Sequence, residues 1–101
     1  MLPETFFAAL DDYPEPGRLE HLPVWARVYE RDLRRLVSWW TDCRRQRPSR
    51  SCPQVARPSF ERLQSLPLWA DMWIRTLKFE VDWQRDQARA NHQAPLLVGR
   101  R

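Results

Sequence analysis

An all-α bundle of about five helices with a two-fold internal repeat is the fold this sequence predicts, and three observations carry the prediction. The first is a phrase written twice: LEHLPVWA at residues 19–26 returns as LQSLPLWA at 63–70. The second is helical periodicity, with apolar residues recurring on one face through two long stretches. The third is composition, with six Trp and only two Gly in 101 residues. Trp brings large buried area, and scarce Gly argues against a β-rich fold full of tight turns. Hydrophobic residues at 43% and charged residues at 30% fit one globular domain spanning 1–101.

The elements follow in order. Residues 1–14 read as an N-terminal helix, centred on 3–12, with Phe6, Phe7 and Leu10 on one face. Residues 15–57 form the first repeat with a basic loop, 58–95 the second, and 96–101 a tail. A shift of forty-four residues lays Arg18, Leu22, Pro23, Trp25 and Ala26 on Arg62, Leu66, Pro67, Trp69 and Ala70. Further on, Arg31, Leu33, Val37, Trp39 and Asp42 fall on Arg75, Leu77, Val81, Trp83 and Asp86. Each unit reads as a short helix (15–21, 58–65), a Leu-Pro corner and a long helix. Proline pushes the preceding leucine out of the α region and suits the first turn of the next helix. Ser59 is placed to cap the second short helix.

The first long helix is expected over 23–46. Trp25, Val28, Tyr29, Leu33, Leu36, Val37, Trp39, Trp40 and Cys43 share one half of it, with Arg27, Arg31, Arg34, Arg35 and Arg45 on the other. The second, expected over 67–91, repeats the pattern with Trp69, Met72, Trp73, Leu77, Val81 and Trp83. Trp25 and Trp69 read as matched core residues. Glu80 interrupts the second apolar face, so it must meet an Arg or sit at an edge. The tail from Gln93 is expected to be mobile or partner-bound.

Charge is unevenly spread. Residues 1–23 net −4, 24–58 net +6, and 59–101 net +2. The basic stretch is almost pure arginine: Arg27, Arg31, Arg34 and Arg35 on the helix, then Arg44, Arg45, Arg47, Arg50 and Arg57. Arginine's planar fork suits phosphate and carboxylate alike. These nine residues are therefore the candidate surface for a nucleic-acid backbone (DNA or RNA) or for an acidic protein. Trp40 joins them as a candidate surface contact, because Gln84 stands at its counterpart.

Other chemistries find little footing. His21, His92, Cys43 and Cys52 lack zinc-ligand spacing, and no Gly-rich phosphate loop or nucleophile motif is present. The expectation is a non-enzymatic chain without cofactor or metal. Two cysteines suit free thiols in the cytoplasm, with a single Cys43–Cys52 disulfide as the alternative. No run of about eighteen apolar residues points to a membrane span, and the start of the chain lacks a signal-peptide pattern.

RLEHLPVW at 18–25 and ERLQSLPLW at 61–69 resemble the repeat of helicase-associated domains, small helical units in which such a segment leads into a long helix. The likeness loosely covers 18–53 and 62–95, with Val24 and Leu68 where that family has glycine. The resemblance implies an accessory role around nucleic acid. Two functions are thus expected: a non-catalytic module binding nucleic acid within a larger complex, or an adaptor or inhibitor acting through protein contacts. The nucleic-acid module is the first expectation, and the near balance of charge in the second repeat keeps the adaptor close behind it, since a DNA binder should extend its basic surface over both halves.

Overall fold

The computed structural model describes Pro14, residues 17–45 and residues 50–99, with side chains described as far as Asn91. A 3-10 turn at Leu19–His21 precedes α1 (Val24–Arg45), the short α2 (Phe60–Gln64) and α3 (Leu68–Gly99). The described residues contain helices and no strand, so the chain is all-α there. The expected N-terminal helix lies outside the described residues except for Pro14, which is buried. The expected helix at 15–21 is a single turn, entered through Gly17 at φ +88°. Glycine takes that left-handed conformation without a Cβ clash.

Both Leu-Pro corners have the same construction. Leu22 is extended, at φ −79° and ψ 153°, as its proline requires. The Pro23 carbonyl then accepts from the amides of Ala26 and Arg27 at 3.0 and 3.1 Å. The Pro67 carbonyl accepts from Ala70 and Asp71, both at 3.0 Å. Each proline therefore stands at the cap of a long helix, where its missing N–H is not needed. Ser59 caps α2, its hydroxyl accepting from the Arg62 amide at 3.2 Å.

The long helices run in the same direction. Glu30 meets Trp73 near their starts, and Asn91 reaches the Arg44 carbonyl at 3.1 Å near the end of α1. That carbonyl belongs to the last turn of α1, which has no intrahelical donor of its own. Buried positions 26, 30, 33 and 37 face 70, 74, 77 and 81, and each set follows a 4-3-4 spacing. Val37, Ile74 and Val81 alternate with Leu33 and Leu77, a residue choice suited to two parallel helices. Ala26 and Ala70, each 1% exposed, leave room for close approach beside the corners.

Parallel neighbours need a return leg. Over its 22 residues α1 advances about 33 Å, and an extended chain recovers that within roughly ten residues. Residues 50–59 are that leg, without regular structure, held extended by Pro53 and Pro58. Val55 packs on the central core of Tyr29, Leu33, Val37, Trp73, Ile74, Leu77 and Val81. The Trp39 indole donates to the Arg50 carbonyl at 2.9 Å and fixes the start of the leg.

Three details depart from the sequence expectation. Trp25 and Trp69 are half-buried, packed beside Leu22, Ala26 and Ala70. Met72 and Trp83, assigned to the core face of α3, are each 43% exposed. One neighbouring helix covers only a stripe, so residues toward the edge of an apolar half-cylinder stay uncovered. Finally, α3 continues beyond Asn91 to Gly99, passing through Pro95.

Candidate functional site

The arginines of α1 separate into three groups. Arg27, Arg35 and Arg45 are exposed and join no ion pair among the described residues. Arg31 is also exposed and, among the described residues, pairs with its neighbour Asp32 at 3.5 Å. Arg34 turns toward the helix interface, where its Nε lies 2.8 Å from Glu30 Oε2. Arg44 leans over the Trp83 ring at 5.6 Å, and its buried Nε makes no hydrogen bond among the described residues. The arginine face expected on α1 thus loses Arg34 to the helix interface, and Arg44 beside it is taken up by Trp83 of α3.

Beyond α1, Arg50 approaches Asp42 at 3.9 Å. Arg57 is exposed near Tyr29. Burial pushes the Tyr29 hydroxyl above the ordinary tyrosine range, and the Arg57 guanidinium partly offsets this. Arg47 lies outside the described residues. Trp40 is half-buried against the central core, edge-on to Trp39 with centroids 4.9 Å apart, and Arg89 lies 5.9 Å over its ring. Little of its face is left for a ligand.

Arginine recurs as a cover for tryptophan at the corners too. Arg18 lies 5.2 Å over Trp69, and Arg62 lies 5.7 Å over Trp25. The two contacts are reciprocal. Each arginine precedes one corner and reaches the tryptophan that follows the other. Such contacts contribute about 0.5–1 kcal/mol each at exposed sites.

Sequence reasoning missed two features. One is Glu30, 2% exposed, which accepts from the Trp73 indole at 2.8 Å and pairs with Arg34. Its place four residues after Ala26 and three before Leu33 was the available signal. The other is a second apolar stripe on α3. Leu68, Met72, Thr76, Phe79 and Trp83 fall within about 80° of arc on a helix turning 100° per residue. The residues that meet α1 lie on the opposite side of α3.

This outer stripe is open. Leu68 is 74% exposed, Phe79 64%, and Phe60 of α2 71%. Together with Leu63, Leu66 and Ile74 they line a groove of about 940 Å³ between α2 and α3. Its rim carries Arg57, Arg75, Lys78, Asp71 and Asp82. Asp71 is taken up by Arg75 at 2.9 Å and Asp82 by Arg85 at 3.3 Å. Arg57 and Lys78 join no ion pair among the described residues, so the rim retains positive charge.

No group of three or more His, Cys, Asp or Glu that could hold a metal occurs among the described residues. Among them, too, no helix is long and apolar enough to cross a membrane. Cys43 and Cys52 are free thiols, the first buried and the second exposed. In comparison with known proteins, the chain matches no family model, no curated protein and no solved structure.

Proposed function

We propose that this chain is a non-catalytic helical adaptor that binds a protein partner through the outer face of α3. The observation that carries the reading is the groove lined by Phe60, Leu68 and Phe79, each more than three-fifths exposed. Scattered apolar residues are ordinary on a surface, whereas a contiguous apolar patch with a polar rim marks an interaction site. A groove beside a helix, with apolar residues along its length, suits an amphipathic helix laid into it. The free charges of Arg57 and Lys78 favour acidic residues flanking that helix's apolar stripe.

The two-fold repeat belongs to the same reading. It is supported by the matched corners, the equal 4-3-4 spacings and the reciprocal Arg18–Trp69 and Arg62–Trp25 contacts. One duplicated unit then supplies two helices that bury each other, and the second copy carries an additional outward stripe. At the matching positions of α1, Val24 and Val28 are followed by Asp32 and Arg35 before Trp39, so the apolar stripe is interrupted there.

A second reading, contact with a nucleic-acid backbone, is favoured by the exposed cluster of Arg27, Arg31 and Arg35 on α1. It accords with the resemblance to helicase-associated repeats. One experiment separates the two. Full-length protein, Leu68→Asp/Phe79→Asp and Arg31→Glu/Arg35→Glu are each titrated with duplex and single-stranded DNA at about 50 mM salt. Each is also screened against a library of helical peptides. The adaptor reading expects peptide binding that only the α3 variant loses. DNA binding lost only by the α1 variant, with affinity falling steeply as salt rises, overturns it.

A further inference from the structure

We propose that Cys43 and Cys52 form a redox modification site. They close into an intramolecular disulfide by exchange with a small-molecule disulfide, and the bond clips the return leg to the last turns of α1.

Three observations bring the two sulfurs together. The first is the anchoring of the leg. The Trp39 indole holds the Arg50 carbonyl at 2.9 Å, and the Arg50 guanidinium approaches Asp42 at 3.9 Å. Cys43 follows Trp39 by one turn on the same face of α1, about 6 Å along the axis. Cys52 follows Arg50 by two residues, an extended reach of up to about 7 Å. The second is electrostatic. After burial, the strongest influence holding the Cys43 thiol protonated is Cys52, ahead of Asp42, its neighbour along the chain. The sulfurs are therefore near one another. The third is freedom to turn. Cys52 is exposed, and its Sγ makes a contact of 3.5 Å to the Pro53 carbonyl. A thiol is a weak donor, so rotating Cys52 toward Cys43 gives up little.

The difference in access orders the chemistry. The exposed Cys52 thiolate attacks one sulfur of a disulfide RSSR, whose S–S bond breaks. A mixed disulfide forms on Cys52, and the first RS− leaves and takes up a proton. Cys43 gives its proton to solvent, and its thiolate attacks the Cys52 sulfur. The second RS− departs and is protonated in turn. Two protein thiols are thereby oxidised to one disulfide, and RSSR is reduced to two RSH. The bond closes a loop from 43 to 52 and constrains the unfolded chain.

The test equilibrates the full chain with reduced and oxidised glutathione in graded ratios, quenches in acid and alkylates the remaining thiols after unfolding. Intact mass should pass from the doubly alkylated chain to an unlabelled monomer with two hydrogens fewer. Arg44, Arg45 and Arg50 lie between the cysteines, so trypsin should leave the two flanking peptides joined until a reductant is added. Cys43→Ser should stop at a glutathione adduct on Cys52. The same titration in concentrated urea supplies the reference. The disulfide should form several-fold more readily in the folded chain, and by reciprocity the oxidised protein should unfold at higher urea. A parent chain that stops at the Cys52 adduct, with Cys43 still open to label, overturns the proposal. Covalent dimers that grow with protein concentration overturn it too, since Cys52 then pairs between chains. So does a disulfide formed as readily in urea as in the folded chain, because the fold then does nothing to bring the sulfurs together.

Discussion

The Trp73 indole reaches across the helix pair and donates to the Glu30 carboxylate at 2.8 Å. Both residues are sealed from solvent, at 0% and 2% exposure. An unpaired carboxylate there would be costly, and Arg34 supplies the compensating charge from one turn along α1. A single polar group among apolar interface positions fixes alignment, because any slip along the seam parts the Glu30 carboxylate from the Trp73 indole.

The first prediction concerns this triad. Trp73→Phe leaves Glu30 short of a donor and should cost about 1–3 kcal/mol beyond the change in packing. Glu30→Ala should cost more, since it opens a cavity and strands the indole N–H. Combining Glu30→Ala with Trp73→Phe removes both ends of the indole–carboxylate bond, so the double variant should lose less than the sum of the two single changes, although Arg34 still lacks its carboxylate. Urea denaturation of the four proteins measures the coupling. Strict additivity of the single changes would show that the bond contributes nothing of its own.

The reciprocal corner contacts give the second prediction. Arg18→Ala and Arg62→Ala should each lower stability by about 0.5–1 kcal/mol, with near-equal effects. Trp25→Ala and Trp69→Ala should also match each other. Both should fall below the 3–5 kcal/mol typical of a fully buried aromatic, because the rings are only half-buried. A large inequality between the two corners would count against the proposed two-fold repeat.

The cysteines give the third. Burial, followed by the proximity of Cys52 and Asp42, pushes the Cys43 thiol above its ordinary range. Cys43 is buried whereas Cys52 is exposed. Since the thiolate is the nucleophile, iodoacetamide at neutral pH should modify Cys52 first, with Cys43 following only as pH rises or the fold opens. Mass spectrometry of partly labelled protein reads the order. Equal rates would mean that the C-terminal turns of α1 are open to solvent.

Much of this architecture was legible in the chain. The Leu-Pro steps fixed the starts of both long helices because proline constrains its own φ and its neighbour's conformation, whatever the tertiary context. Leu33, Val37, Leu77 and Val81 were recognisable as core from periodicity alone. The direction of the helices was not, because periodicity locates a face and says nothing of which way its neighbour runs. Met72 and Trp83 were misplaced for a related reason. An apolar half-cylinder does not disclose how much of its width one neighbour covers. Glu30 was overlooked as a formal charge among arginines, although its spacing from Ala26 and Leu33 put it on the seam. Arg34 and Arg44 read as ligand-binding groups, and only the structure shows them committed to Glu30 and Trp83.

The central claim is that the outer face of α3, and not the arginine side of α1, is where this protein meets its partner. Its most direct measurement places a photo-crosslinking amino acid at Phe79 in one protein and at Arg35 in another. Both are irradiated in extract from the native source, with and without nuclease. The account predicts a discrete protein adduct from position 79 that survives nuclease and disappears when Leu68→Asp is added, with no such adduct from position 35. Adducts arising only from position 35, and removed by nuclease, would contradict it.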